Sequence, residues 1–228
     1  MKDVFGLIYT SDESDMRLRD LTRSRSIAAM PIGGRYRVID VLLSNLVHSG
    51  VSNVGLITQR NYHSLMDHLE SGKAWDLNRK RDGLFILPPY VTRSSTGSYS
   101  GLLDAIRSNL NYVRRASQRY ALISGSSTVF NMKFDDMMAQ HLATGADITI
   151  LYNVPADDES NGDADRTHLK MDESGRVVDI EVTPHLNTYP NVSMDVYIMD
   201  KALLTYLVEV SAAHYRSDFV RDVLIKQL

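Results

Sequence analysis

Cysteine is absent from all 228 residues, so the chain holds neither a disulfide nor a thiolate metal site. The absence agrees with a reducing compartment. No apolar run approaches the ~20 residues that a membrane-spanning helix needs. Met1-Lys2-Asp3 does not lead into the apolar stretch and small-residue cleavage site of a signal peptide. Charge of one sign is lacking too: 25 basic against 28 acidic side chains leave a net −3, which provides no field for nucleic acid or a charged membrane. The clusters Arg79-Lys80-Arg81 and Arg114-Arg115 read as solvated surface. These exclusions leave a cytoplasmic globular protein whose 43% hydrophobic content is ample for a core.

Glycine is missing at one telling place. The apolar run 4–9 reads as the first strand of an α/β fold, and residues 10–17 follow it as Thr-Ser-Asp-Glu-Ser-Asp-Met-Arg. A phosphate-cradling loop needs glycine there, because a Cβ keeps backbone N–H groups from closing around an anion. This loop offers Asp12, Glu13 and Asp15 instead. It has the look of part of a Ca²⁺ loop but lacks the downstream glycine and bidentate glutamate, so solvated loop is the reading.

What is present alternates. Strands are predicted at 4–9, 53–58, 84–87, 120–124 and 147–152, with helical spacing between them at 37–48, 62–69, 101–115 and 134–143. The helix at 37–48 is predicted to turn Val38, Val41, Leu42, Asn45 and Leu46 to one side. Such alternation implies an α/β fold with a largely parallel sheet covered on both faces. The loops after the strands then share one rim, where ligands bind. After a polar loop at 157–163 come shorter strands at 167–171, 176–182 and 192–198, the first two joined by a turn at Glu173-Ser174-Gly175. Helices are expected at 201–212 and 219–228, and the abrupt apolar end suggests a longer chain.

Individual residues divide into structural and binding candidates. Gly33-Gly34 serves a tight turn or a ligand contact, with equal weight. Asp40 and Asn45 read as packing or hydrogen-bonding residues, Trp75 as buried packing rather than a base-stacking platform. Gln59, just past a strand end, is the better binding candidate. His63 and His68 lie off the spacing of a helical metal pair, which argues against zinc. The arginines 17, 19, 23, 25, 35 and 37 divide between acidic neighbours such as Asp20 and Asp40 and an anionic effector or partner subunit; the structural role is favoured.

Longer motifs then identify a family. Pro31-Ile32-Gly33-Gly34-Arg35-Tyr36-Arg37-Val38-Ile39-Asp40, Leu43-Ser44-Asn45 and Ser49-Gly50 resemble the P-F-G-G-[KR]-Y-R-[IL]-I-D…L-S-N…S-G signature of glucose-1-phosphate adenylyltransferases. The likeness continues at Leu56-Ile57-Thr58-Gln59, Ser71-Gly72-Lys73-Ala74-Trp75-Asp76-Leu77, Leu87-Pro88-Pro89-Tyr90, Tyr99-Ser100-Gly101, Val192-Ser193-Met194 and Asp218-Phe219-Val220-Arg221-Asp222. It covers nearly the whole chain. It implies a Rossmann-like three-layer sandwich of the nucleotidyltransferase type with a mostly parallel mixed sheet, a single domain over 1–228, and a following left-handed β-helix domain that is not in this sequence. Active members of the family use Mg²⁺.

The departures from the family are systematic. Glu13, Asp15 and Met16 fall at glycine and threonine positions of its first loop, while Arg17 and Leu18 match; Ile27 replaces its phosphate-serving lysine. The expected metal aspartate falls within Ser126-Ser127-Thr128, with Ser127 near its position. The sugar-phosphate E-K-P reads Val182-Thr183-Pro184, and the sugar-site S-M-G reads Ser193-Met194-Asp195. The resemblance leaves Gln59, Tyr99, Gly101, Asp104 and Ser193 as vestigial substrate-binding positions, Asp218 as a vestigial metal position, and Arg17, Arg25 and Arg37 as anion or effector candidates. Catalytic residues and cofactor are expected to be none.

Adenylyl transfer joins two anions and needs cationic groups, N–H donors and Mg²⁺. A carboxylate ~4 Å from a phosphate opposes it by about 1–4 kcal/mol. The pattern is similar to the GlgD-type, non-catalytic or weakly catalytic subunits that modulate a catalytic partner in glycogen synthesis, as hetero-oligomers. The alternatives are an active sugar-nucleotide transferase with a rebuilt site, or a sugar-phosphate-sensing module.

Overall fold

The run Val4–Tyr9 becomes strand β1, and its apolar continuity has a structural reason: it lies between parallel neighbours with both faces covered. Phe5 and Leu7 point into one hydrophobic cluster, Val4 and Ile8 into another, as the two-residue period of a strand requires. The computed structural model describes residues 1–11, 18–89, 91–92, 95–96, 98–155, 166–183 and 189–228, with backbone alone at 91, 92, 95 and 96. The acidic loop 12–17, Arg17 with it, the polar run 157–163, Tyr90 and Pro184 lie outside the described residues.

After β1, Pro31–Ile32 (β2) and Tyr36–Arg37 (β3) form a small hairpin around Gly33 and Gly34, both at positive φ. These glycines make a tight turn. Helix α1 (Val38–His48) follows, its start held by Asp40, whose Oδ2 accepts the Arg37 N–H at 2.9 Å. Then come β4 (Asn53–Ile57), α2 (His63–Leu69), β5 (Gly83–Leu87) and a two-residue ladder, β6 (Val91–Thr92) with β7 (Ser95–Thr96). Helices α3 (Leu102–Ser108) and α4 (Leu110–Arg115) lead into β8 (Tyr120–Gly125), α5 (Asp135–Thr144) and β9 (Ile148–Asn153). The chain continues through β10 (Thr167–Met171), β11 (Val177–Val182), β12 (Asn191–Asp200) and α6 (Lys201–Ala213). A π-helical turn, Val220–Leu224, then runs into α7 (Ile225–Gln227).

The main sheet has the order β11-β10-β12-β8-β1-β4-β5, with β9 paired to the other side of β12. Strands β8, β1, β4 and β5 are mutually parallel. Strand β12 runs against β8, and β9 and β10 run against β12. Six of the eight strands therefore point one way, which makes the sheet mixed and mostly parallel. One face is covered by α3, α4, α6 and the C-terminal turn through Leu103, Ile106, Val113, Leu204 and Val223. The other is covered by α1, α2 and α5 through Ile39, Leu43, Leu65 and Met137. This is the three-layer α/β sandwich that the sequence implies.

Three expectations change in detail. The helix predicted at 101–115 is two helices, because the Asn109 amide donates to the Ala105 carbonyl at 2.9 Å and competes with the backbone ladder. In α1, Ile39, Asp40 and Leu43 are buried while Val41 is not. The helix packs against both the sheet and the 3₁₀ turn Ile27–Ala29, so two stripes are covered. The last helix is wound as a π turn before it becomes α-helical.

At the N-terminal ends of the parallel strands a buried polar chain joins neighbouring segments. Tyr112 Oη donates to Asn53 Oδ1 (2.9 Å), Asn53 Nδ2 to Gln118 Oε1 (2.9 Å), and Gln118 Nε2 to Asp82 Oδ1 (3.2 Å). Burial, then the charge of Asp82, holds the Tyr112 phenol well above its ordinary range. The Tyr112 ring lies so close to β4 that a Cβ on Gly55 would sit 2.5 Å from it.

Candidate functional site

The opposite, C-terminal ends of β1, β4 and β8 deliver Tyr9, Thr10, Ile57, Gly125 and Ser126 to one rim. Thr10 N–H donates to the Ile57 carbonyl (3.0 Å), and Gln59 N–H to Thr10 Oγ1 (3.2 Å), so two short loops are tied together immediately beyond the sheet.

Gln59 is buried at the centre of this rim, and the protein uses both ends of its amide. Nε2 donates to Tyr9 Oη at 2.6 Å, and Oε1 accepts from the Tyr99 N–H at 3.3 Å. Gln59 thus positions β1 against the segment that enters α3. Tyr99 is buried in its turn, with its hydroxyl accepting from Asn109 Nδ2 at 3.3 Å. Asp104 accepts from the Ser100 N–H at 3.1 Å and helps to hold the entry to α3. Gly101 is pressed against the far end of the chain: a Cβ there would be 2.5 Å from the Ser217 carbonyl oxygen, and that oxygen accepts from the Leu103 N–H at 3.1 Å. Only a residue without a side chain permits that approach. The structure therefore gathers Gln59, Tyr99, Gly101 and Asp104 with the 217–218 segment.

Two other predicted residues join them from β12 and the C-terminal turn. Ser193 Oγ accepts from the Asp195 N–H at 3.2 Å, and the Tyr197 hydroxyl donates to Asp195 Oδ1 at 3.2 Å. Phe219, next to Asp218, packs its ring on Tyr197 with centroids 5.0 Å apart. Burial pushes the Tyr197 phenol well up, and the charges of Asp195 and Asp218 push it further, so the site contains a neutral donor between acidic neighbours. Asp195 lies where β12 shifts register, opposite the end of β8, and it is exposed. Its participation, with that of Tyr9 and Tyr197, is absent from the sequence reading. The available signal was the aspartate at the third position of Ser193-Met194-Asp195.

The anion candidates do not assemble around this group. Arg37 Nη1 donates to the Ser64 carbonyl and to Ser64 Oγ, the latter at 2.9 Å, so its guanidinium joins the β3 hairpin to α2 rather than pairing with Asp40. Asp40 instead contacts His68 Nε2 at 2.6 Å, and His68 stands edge-on to half-buried Trp75. Asn45 bonds the Phe130 carbonyl (2.7 Å), a structural role. Arg25 is exposed, and Ile27 is half-buried in the 3₁₀ turn beside α1 and α2. Ser126 is buried at the end of β8 and Ser127 is exposed.

These donors do not fit Mg²⁺. The segment after β8 supplies hydroxyls in place of a carboxylate. Asp218 is turned to Arg221, accepting its N–H at Oδ1 (2.8 Å) with the guanidinium Nε 3.7 Å from Oδ2. A hard dication needs carboxylate and phosphate oxygens around it, and at Asp218 it meets a cation already in place. Among the described residues no group of three histidine, aspartate or glutamate side chains is arranged to hold a metal ion, and no helix is long and apolar enough to cross a membrane.

Comparison with known proteins gives this rim a lineage. The chain is 39% identical over 228 residues to the glucose-1-phosphate adenylyltransferase of Thermomicrobium roseum, an alignment that covers 98% of this chain and 52% of that protein. It is 35% identical over 211 residues to the enzyme of the same name from Bacillus cytotoxicus, covering 91% of this chain and 55% of the relative. The Bacillus mycoides protein of that name is 36% identical over 211 residues. The chain spans about half the length of the curated relatives it matches. Residues 14–228 match the family described as nucleotidyl transferase, and the chain belongs to that family.

Proposed function

We propose that this chain is the nucleotidyltransferase-like part of a regulatory, catalytically impaired glucose-1-phosphate adenylyltransferase subunit that modulates a catalytic homologue. The observation that supports it is the end of β8. The strand delivers Gly125 and Ser126 to the rim with no carboxylate, while Asp218 is engaged by Arg221. The scaffold that would position a nucleotide and a sugar phosphate is retained, but the charges that would bring two anions together are not. Ile27, an aliphatic side chain where the family resemblance implies a lysine, adds to the same deficit.

The partner is thus a catalytic subunit of the same family, and the pathway is ADP-glucose formation for glycogen. The effector is a phosphorylated sugar, for which exposed Arg25 is the available cation and Arg17 a further candidate; Arg37 is committed to Ser64. Assay of the purified protein with ATP, glucose 1-phosphate and Mg²⁺ tests the reading. The expected rate of ADP-glucose formation is a few per cent or less of that of a catalytic homologue, with the homologue's rate altered on mixing. Equal rates for the two proteins alone would end it.

A further inference from the structure

The sheet forks at β12, and the fork leaves three edge strands, β11, β5 and β9, which meet water differently. An edge strand presents a row of backbone N–H and C=O groups that another chain can pair with, so edges are normally guarded by charge or proline. Strand β11 is guarded by Asp179 and Glu181 on alternate residues. Strand β5 starts at Gly83 and is closed at once by Pro88-Pro89, which have no N–H to donate. Strand β9 carries no guard along its length: no charged side chain occurs from 148 to 156, and Pro155 falls two residues past its end. Among the described residues β9 pairs with β12 on one side alone. Ile148, Ile150 and Tyr152 lie along one face of it by the two-residue period. The two isoleucines are half-buried, Tyr152 is 44% exposed, and Val154 beyond them is 57% exposed.

We propose that β9 is the contact through which two copies of this chain associate, the strand pairing antiparallel with itself about a two-fold axis perpendicular to the sheet. Such an axis sets every residue opposite one an even number of positions away, so the apolar rows of both copies fall on the same face and meet. Cross-strand pairs of β-branched and aromatic side chains are favourable, whereas like charges directly opposite are not. That difference selects the edge and its occupant together. The same operation on β11 would bring Asp179 and Glu181 of one copy against those of the other. On β9 it brings uncharged residues against their own kind, satisfies the backbone groups of both edges and joins the two eight-stranded sheets into one. Ile148 and Ile150 already rest on one hydrophobic cluster and Leu151 on the other, so the added strand extends packing on both faces. The contact is additional to the catalytic homologue of the regulatory reading and does not depend on it.

Sedimentation of the unmodified protein at ~100 μM is the first test, and a dimer is expected. Tyr152→Lys places the charge that guards natural edges on an exposed side chain, so the monomer keeps its fold, which melting curves check. It is expected to weaken the dimer about tenfold or more. The absence of cysteine allows a second measurement, with Thr149→Cys, Ile150→Cys, Leu151→Cys and Tyr152→Cys made singly and oxidised. Only the residue on the axis meets its own copy within the ~4.4–6.8 Å between Cα atoms that a disulfide spans. One of the four is expected to cross-link about fivefold or more faster than Val178→Cys on the β11 edge. Four results would each overturn the proposal: a monomer at that concentration, a Tyr152→Lys dimer as tight as the unmodified one, cross-linking on β9 no faster than at Val178→Cys, or a dimer that forms only when a catalytic homologue is added. The regulatory reading fails by a different measurement, ADP-glucose formation by the unmodified protein.

Discussion

The two ends of the parallel strands carry polar networks of similar length and opposite character. At the N-terminal ends, Tyr112, Asn53, Gln118 and Asp82 form a chain in which each donor has an internal acceptor and a large ring fills the space over Gly55. At the C-terminal ends, Tyr9, Gln59, Tyr99 and Asn109 make a comparable chain, but beside it stand the exposed Asp195 and the Arg221-bound Asp218. The first network holds segments together and ends there. The second holds segments together in order to present charge. Left-handed backbone marks both sides, at Asp82 (φ +63°) and at Asp195 (φ +54°), but only at Asp195 is the residue exposed.

That contrast can be broken by substitution, starting from its most rigid point. Gly55→Ala forces a Cβ into the Tyr112 ring and should cost about 2–3 kcal/mol, read as a shift in the urea midpoint. Next is Tyr112→Phe, which strips Asn53 Oδ1 of its buried donor; a loss of about 1–2 kcal/mol is expected, with ligand titrations at the rim unchanged. A change in rim affinity on this substitution would show that the two networks are coupled. On the other side, Asp195→Gly should stay within about 1 kcal/mol of the unmodified protein. Relief of the left-handed strain offsets the added chain entropy of glycine and the lost Tyr197 bond. A large destabilisation there would make Asp195 structural and erase the contrast.

The smallest effect concerns His141, which is 5% exposed, bonded to Thr149 Oγ1 at 2.8 Å and edge-on to Tyr120. Burial holds its imidazole below the ordinary value against the opposing pull of Asp200 and Asp147. The native state then binds fewer protons than the unfolded chain. This contribution to stability is complete above the unfolded-state value of about 6.5 and is lost as pH falls toward the folded one. His141→Gln should flatten the fall in urea midpoint between pH 7.5 and 5 without altering the rim.

Much of the architecture was legible because buried strands and amphipathic helices announce themselves by period. Strand β1 and its parallel partners needed no more than apolar runs of the right length. The break at Asn109 was not legible: it depends on one amide choosing between Ala105 and its own helix, a choice stabilised by the Tyr99 hydroxyl. The rim was legible as a location but less so in its parts. Gln59 stood out as a ligand residue by lying just past a strand, yet its two amide atoms are bound to Tyr9 and Tyr99 across the rim. Asp195 read as one lost glycine among several. Its importance depends on its position over Gly125, which pairing between β12 and β8 creates and sequence order does not reveal.

The contact between Gly101 and Ser217 has a consequence for how this protein is made. Strands β1, β4, β5 and β8 are all synthesised within the first 125 residues and can assemble while translation continues. Strand β12 must then add beside β8, and the Ser217 carbonyl must reach Leu103 from more than a hundred residues away. The nascent chain therefore carries an unfinished rim until residue 217 has left the ribosome, and a stall before it leaves the entry to α3 without the carbonyl that caps Leu103.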